Sequence, residues 1–336
     1  MNYQLSFFDS PPASEVQEGN VNQTTRAERI SKISWSYSRR AVMEKCLRNY
    51  YYEYYGGNKR TATQEPNKQL ISQLKQLKNR YARTGEILHL VISTYLRKAK
   101  QEIIWDENRL VSWGKDLFGK DLSFSQSSIG NWKPTNEKYS PSMLSEFYYQ
   151  DPSALVKCLS SQDRLVAAIV SFMNDPLYSE FRQKGSQGNS TIEGFIKIRP
   201  HIPCLVDGRV DLAYIEDSKA TIVDWKLGNE DGIGDDSLQL AAYGLWAVES
   251  LKCRAESIRI CKVHFSSQKI VDFECNIQVL NLARARIMQD AERMAFLEGY
   301  GKNACVEAFT PCRQTAICQQ CSFLAICDDG KEITYA

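Results

Sequence analysis

Two carboxylates and a lysine give the clearest chemical signal in this sequence, because they lie in segments that predict adjacent strands. Asp211 lies within residues 206–215, while residues 220–225 contain Asp224 and are followed by Lys226. Side chains two positions apart on a strand point to the same face, so Asp224 and Lys226 should lie together. Two carboxylates that share a site repel each other unless a cation lies between them. Because Mg²⁺ prefers oxygen ligands, the pattern predicts a divalent metal site at the end of a β-hairpin.

A predicted helix after the hairpin adds two polar side chains. Gln239 and Tyr243 are four residues apart, so they share one helix face. They could contact a substrate or position Lys226, which in turn could orient a water molecule or stabilise charge on a phosphorus atom. A single Asp-x-Lys at a strand end is also compatible with a surface ion pair of little energetic value. The complete ordered set favours a metal-dependent phosphodiester hydrolase.

Hydrophobic periodicity predicts an α/β fold with helices before the sheet. Strands are predicted over residues 191–199, 206–215, 220–225, 258–265 and 270–275, and helices over 34–55, 71–100, 237–250 and 279–298. The predicted organisation is a flexible tail (1–30), N-terminal helices (31–100), a helical insertion (101–180), a mixed α/β core (190–300) and a cysteine-rich tail (301–336).

Composition and charge limit the class of protein. Of 336 residues, 43% are hydrophobic, but no apolar run approaches the ~20 residues of a membrane span and residues 1–12 do not resemble a secretory signal. A cytoplasmic protein without a membrane partner is expected.

The net charge of the whole chain is +2, yet residues 26–100 hold 17 Lys and Arg against 5 Asp and Glu. A cluster of tyrosines also lies among these charges, which favours single-stranded nucleic acid as the partner, the alternative being a solvated helical face: Tyr37, Tyr50, Tyr51, Tyr52, Tyr54 and Tyr55.

Eleven cysteines are many for a protein of a reducing compartment, where structural disulfides are rare. The scattered ones fit small buried apolar side chains. Cys318, Cys321 and Cys327 instead have the spacing of metal ligands and need a fourth. Cys312 is close in sequence, so a local structural Zn²⁺ site is one interpretation.

The ordered motifs resemble those of the PD-(D/E)XK nuclease superfamily, specifically its RecB-type and CRISPR-associated exonuclease branch. The resemblance implies a restriction-endonuclease-like mixed sheet flanked by helices, with Mg²⁺ or Mn²⁺ bound by Asp211, Asp224 and the backbone carbonyl of Trp225. Lys226 would be the catalytic lysine, with Gln239 and Tyr243 as the motif that follows it. An earlier Gly-x-x-x-His helix of the family, whose histidine is a further metal ligand, matches Gly85 to His89.

The same branch suggests a different fourth ligand for the cysteines. Its iron–sulfur members have one cysteine in the first helix and three at the C-terminus. By that resemblance, a [4Fe–4S] cluster would be held by Cys46, Cys318, Cys321 and Cys327, with structural Zn²⁺ as the alternative.

The first residues resemble a short docking peptide. Gln4, Leu5, Phe7 and Phe8 are similar to the pentapeptide by which bacterial replication and repair proteins bind the sliding clamp. Two aromatic anchors in an exposed tail suit such binding. The alternative is an apolar terminus without a partner.

Together these patterns predict a metal-dependent deoxyribonuclease. The expected substrate is the end of single-stranded DNA, with exonuclease favoured over endonuclease action, in DNA repair, recombination or defence. The alternative is a catalytically inactive DNA-binding or clamp-recruited adaptor with a nuclease fold. No Gly-x-x-x-x-Gly-Lys-Ser/Thr loop occurs, so no helicase motor is predicted.

Overall fold

The computed structural model describes residues 25–58, 67–133, 140–228 and 236–330. A six-stranded sheet lies at its centre, formed by β1 (Ser34–Trp35), β2 (Thr191–Ile198), β3 (Leu205–Glu216), β4 (Lys219–Lys226), β5 (Ile258–His264) and β6 (Lys269–Phe273). The order is β1-β3-β4-β5-β6. Strand β2 lies off this path and also pairs with β3. Pairing is parallel for β1–β3 and β4–β5 and antiparallel elsewhere. The sheet is therefore mixed, as predicted.

Helices cover this sheet and fill the chain before it. In the described ranges they are α1 (Arg26–Ser31), α2 (Tyr37–Lys45), α3 (Leu47–Tyr51), α4 (Lys68–Leu74), α5 (Arg80–Ala99), α6 (Glu107–Ser127), α7 (Ser145–Tyr148), α8 (Ala154–Asn174), α9 (Ser179–Gly185), α10 (Ser237–Ser250), α11 (Ile277–Lys302) and α12 (Thr315–Cys318). The predicted α/β class, helical before the sheet, is confirmed. Within these ranges no helix has the length and apolarity that a membrane crossing requires.

Two helices bring polar groups to the sheet. Asn79 caps α5 by accepting a hydrogen bond from the backbone of Ala82, and α5 buries an apolar stripe that includes Ile87 and Val91. It packs against α6 and α8, so the segment predicted as a helical insertion supports α5 from behind. Helix α10 connects the parallel strands β4 and β5 and is buried along most of its length. Both helices are thus fixed by apolar contacts rather than by exposed polar ones.

The single helix predicted over residues 34–55 is wrong. Ser34 and Trp35 form β1, and Ser36 begins α2 by accepting a hydrogen bond from the backbone of Arg39. Cys46 then adopts an extended conformation (φ −164°, ψ 117°) that separates α2 from α3, and a π-helix follows over Tyr52–Gly56. The helical period continues across these breaks, so the apolar pattern did not indicate them.

The tyrosines of this region are mostly core residues. Tyr50, Tyr51, Tyr52 and Tyr55 are at most 5% exposed. The ring of Tyr51 lies 5.1 Å from that of Phe309, between centroids. The prediction that these four tyrosines face nucleic acid together with the basic side chains is therefore wrong: they join the first helices to the C-terminal tail.

The flexible tail predicted over residues 1–30 is wrong for its last five residues. Residues 26–31 form α1, which Thr25 and Glu28 begin with a capping box. The clamp-like residues Gln4, Leu5, Phe7 and Phe8 lie outside the described residues.

Close packing of α11 against the tyrosine cluster gives a stability prediction. A Cβ atom at Gly301 would overlap the buried Tyr55 ring, whereas one at Gly299, in the same helix, would meet nothing within 4 Å. We expect Gly301→Ala to lower the free energy of unfolding by about 2 kcal/mol, because a packed ring must move.

The matched control is Gly299→Ala, which should leave stability unchanged or raise it by up to about 1 kcal/mol through helix propensity. Urea denaturation followed by circular dichroism measures both. Equal midpoints for the two variants would contradict this packing.

Candidate active site

Asp211 lies where the β3–β4 hairpin opens. Backbone pairing of the two strands runs from Glu216 and Lys219 to Leu212 and Val223. Beyond that point, Oδ2 of Asp211 accepts the backbone N–H of Trp225 at 2.8 Å. The carboxylate thus replaces a backbone acceptor, which holds the two strands at a defined separation where the ladder ends.

His89 reaches this point from α5. Its Nδ1 lies 3.1 Å from Oδ1 of Asp211, and its Nε2 lies 2.9 Å from the carbonyl oxygen of Trp225. Both partners are acceptors, so both ring nitrogens carry protons in this arrangement. Burial alone would lower the pKa of His89, but the surrounding carboxylates of Asp211, Asp224 and Glu193 together outweigh burial and raise that pKa to about 9. A metal ion bound by His89 would replace the proton on the ring nitrogen that binds it.

Glu193, on β2, is a site residue that the sequence pattern did not indicate. The pairs Ile192–Leu212 and Gly194–Val210 flank it, so it lies opposite Asp211 across the strands. Its backbone is left-handed (φ 54°), which costs a non-glycine residue on the order of 1 kcal/mol and is typical of functional sites. Glu193 is the one acid in the predicted strand over residues 191–199, which was the available signal, but the pairing register was not readable from sequence.

Three side chains form a compact group at this end of the sheet. Ligand atoms of His89, Glu193 and Asp211 all lie within 4.8 Å of one another. The carboxylate of Glu193 is 4.0 Å from Nδ1 of His89. Burial raises the pKa of Glu193, and the nearby Asp211 carboxylate raises it further. Bringing these acids together is costly without a cation.

Asp224 belongs to a closed ring of hydrogen bonds and ion pairs beside that group. Its Oδ1 accepts from the Tyr243 hydroxyl at 3.0 Å, and its Oδ2 lies 2.8 Å from Nζ of Lys226. Lys226 donates to Oε1 of Gln239 at 3.1 Å, and Nε2 of Gln239 donates to Tyr243 at 2.7 Å. Tyr243 is only 4% exposed. Of the two roles predicted for Gln239 and Tyr243, this geometry favours positioning Lys226 and Asp224 over contacting the substrate.

The ring fixes the charge states of its members. Asp224 is 1% exposed, and this burial raises its pKa while Lys226 counteracts the shift. Burial by itself would lower the pKa of Lys226, but the Asp224 carboxylate raises it above its ordinary value. Burial and the same carboxylate hold the pKa of Tyr243 well above 10. At neutral pH, Lys226 and Tyr243 are therefore hydrogen-bond donors rather than proton acceptors.

The carboxylates, the Trp225 carbonyl and the His89 imidazole of this site suit Mg²⁺ or Mn²⁺ as ligands. Oδ2 of Asp224 is buried and contacts Lys226 at 2.8 Å, and because a carboxylate oxygen has two lone pairs, one stays available for a cation. Carboxylate and carbonyl oxygens with one imidazole are ligands for hard divalent metals. The predicted set was His89, Asp211, Asp224 and the Trp225 carbonyl. The structure places His89 against both Asp211 and Trp225, adds Glu193, and turns Asp224 towards Lys226.

An open cavity of about 530 Å³ leads from solvent to the His89 group. Its walls carry basic, aromatic and acidic side chains: Tyr81, Arg97, His89, Arg209, Glu86, Glu193 and Asp211. Glu86, one turn before His89, pairs instead with Lys78 and Arg83 and does not support the imidazole. The cavity can admit an anionic polymer and bring it to the acids.

Five cysteines line a second, smaller cavity between the first helices and the tail: Cys46, Cys312, Cys318, Cys321 and Cys327. The Sγ atoms of Cys312 and Cys318 are 4.0 Å apart. Around a tetrahedral Zn²⁺ with Zn–S distances of about 2.3 Å, every sulfur pair would be separated by about 3.8 Å. In the part of the chain that the structure describes, no three cysteine sulfurs approach one another within 4.8 Å. The thiols are thus more widely spaced than a formed zinc site requires.

Comparison with known proteins identifies a family. The model of the PD-(D/E)XK nuclease superfamily matches residues 34–328, from β1 into the cysteine-rich tail. One solved structure, titled "Crystal structure of SSO0001", is similar at 15% sequence identity, covering 64% of this chain and 95% of the other, with a TM-score of 0.29. No curated protein matches the chain.

The position of Glu193 predicts that it is a metal ligand. We expect Glu193→Gln to weaken Mn²⁺ binding on the order of tenfold or more, because one anionic oxygen is lost from the group. Isothermal titration of the protein with Mn²⁺ measures this without reference to activity.

Glu216→Gln is the matched control. Glu216 ends β3 away from the site, with its side chain 52% exposed. The Glu216→Gln variant should bind Mn²⁺ with the affinity of the unmodified protein. An unchanged Mn²⁺ affinity in the Glu193→Gln variant would exclude Glu193 as a ligand.

Proposed function

Because the chain belongs to the PD-(D/E)XK nuclease superfamily, we propose that it is a metal-dependent DNA nuclease acting on single-stranded ends. The observation that carries this proposal is the closed ring of Asp224, Lys226, Gln239 and Tyr243 beside the His89–Glu193–Asp211 group. An inactive adaptor would have no reason to keep a buried carboxylate and lysine in this arrangement, since a buried ion pair contributes little to stability.

Each protein group has a definable role in hydrolysis. His89, Glu193, Asp211, Asp224 and the Trp225 carbonyl would hold the metal, which supplies Lewis-acid polarisation and a water of lowered pKa. Lys226 is cationic, so it donates to and stabilises negative charge that develops on the phosphate. Gln239 and Tyr243 hold Lys226 and Asp224 in place before substrate arrives.

Charge supports DNA as the substrate. Residues 26–100 carry a local excess of +12, and Arg97 and Arg209 line the cavity. Cations beside the acidic group neutralise the phosphates that flank the scissile one. Exonucleolytic cleavage in DNA repair, recombination or defence, inside the cytoplasm, belongs to the same proposal.

We further propose a [4Fe–4S] cluster bound by Cys46, Cys318, Cys321 and Cys327. These cysteines line one cavity although Cys46 is far from the others in sequence. The extended backbone at Cys46 places its thiol at the start of α3, facing the tail. Such a cluster would fasten the first helices to the last segment.

The catalytic proposal predicts loss of cleavage when either charge of the central pair is removed. The Asp224→Asn variant keeps the shape of the side chain and removes its negative charge, and the Lys226→Met variant removes the positive charge. Each variant should cleave end-labelled single-stranded DNA about a thousandfold more slowly in Mg²⁺ or Mn²⁺. Binding of the DNA, measured in Ca²⁺, should survive.

Asp272→Asn and Lys219→Met are the matched controls. Asp272 is an exposed strand residue, and Lys219 begins the strand that Lys226 ends. Both should cleave normally. Normal cleavage by Asp224→Asn would refute the assignment, and a wild-type protein that binds DNA but never cleaves would favour the adaptor.

The cluster proposal predicts a visible absorption band from anaerobically purified protein, with iron and sulfide in equal amounts. Cys46→Ser should abolish the band, whereas Cys305→Ser, at an exposed cysteine, should keep it. Cys312→Ser tests the fifth thiol and should also keep it. Zinc without iron, or a cluster that persists in Cys46→Ser, would contradict the proposed ligands.

A further inference from the structure

One large apolar side chain beside the candidate active site is mostly exposed to solvent. Phe195 on β2 is 69% exposed. Across the strands it pairs with Arg209 on β3, whose guanidinium lies 4.9 Å from the centroid of the Phe195 ring. The same guanidinium lies 3.2 Å from Oε2 of Glu193. Arg209 is therefore held between the acidic group and the aromatic ring.

The strand geometry places this pair next to the metal group. Glu193 and Phe195 are two residues apart on β2, as are Asp211 and Arg209 on β3, so each couple lies on one face of the sheet, about 7 Å apart. That step is comparable with the separation of neighbouring nucleotides along an extended strand. A phosphate held by a metal ion at Glu193 and Asp211 would bring its neighbouring nucleotide to Phe195 and Arg209.

Isolated exposed apolar residues are common on protein surfaces and need no explanation by themselves. Phe195 differs from such residues in two respects: a cation contacts its ring, and its partner Arg209 lines the cavity that leads to His89. An exposed aromatic ring with an arginine against it is an arrangement on which unpaired nucleobases stack.

We propose that Phe195, positioned by Arg209, stacks on the base of the nucleotide next to the scissile phosphate. This inference rests on the proposed nuclease function and specifies its substrate as a strand whose base at that position is unpaired. In a duplex that base is already stacked and paired, so the duplex would have to fray before the base reached Phe195. Arg209 contributes charge to the phosphate of the same nucleotide.

The test compares a short single-stranded oligonucleotide with an abasic strand of the same length, both bound in Ca²⁺ so that no cleavage occurs. The unmodified protein should prefer the base-bearing strand. Phe195→Ala should weaken binding of that strand about tenfold and leave binding of the abasic strand unchanged. The Phe195→Trp variant should keep the preference for the base-bearing strand, since the larger indole ring can also stack on a base.

Phe296→Ala is the matched control, because Phe296 is 67% exposed on α11. It should bind both strands as the unmodified protein does. An equal loss on both strands in Phe195→Ala, or no loss on either, would overturn the inference. A protein that shows the Phe195-dependent preference but does not cleave would refute only the nuclease function, and cleavage that depends on Asp224 without this preference would refute only the stacking.

Discussion

Mutual repulsion among the carboxylates of Glu193, Asp211 and Asp224 is the constraint around which this site is built. Without compensation, desolvating such a group disfavours its charged form. Three cations limit the cost, each on a different carboxylate: Arg209 on Glu193, the imidazolium of His89 on Asp211, and Lys226 on Asp224. A divalent metal would relieve the same repulsion from the centre. The polar network and its charge states follow from this requirement.

The fold meets that requirement with elements from separate parts of the chain. The hairpin of β3 and β4 supplies two acids and the lysine, edge strand β2 supplies the third acid, and α5 brings in the histidine. Helix α10 closes the ring around Asp224 through Gln239 and Tyr243. Apolar packing fixes each element independently, so the polar groups meet without having to provide the stability themselves.

The sequence predicts those parts of the arrangement that depend on the local periodicity of apolar residues. Strands over 206–215 and 220–225 and the helix over 237–250 agree with the structure to within a residue or two, because alternating and helical apolar patterns report directly on burial. Glu193 escaped prediction because strand register and a left-handed backbone are tertiary properties. The buried tyrosines escaped it because tyrosine suits both a core and a nucleic-acid surface, and only Phe309 and its neighbours decide between them.

The contact between Tyr51 and Phe309 also orders events during synthesis. A ribosome makes the chain from its N-terminus, so α3 emerges long before its aromatic partner. Until then the tyrosines of the first helices lack part of their core, and closing so long a loop is slow. A chain released early would contain Asp211, Asp224 and Lys226 but would lack the segment that completes the fold around them. Dependence on the segment around Phe309 thus delays completion of the core until that segment has been translated.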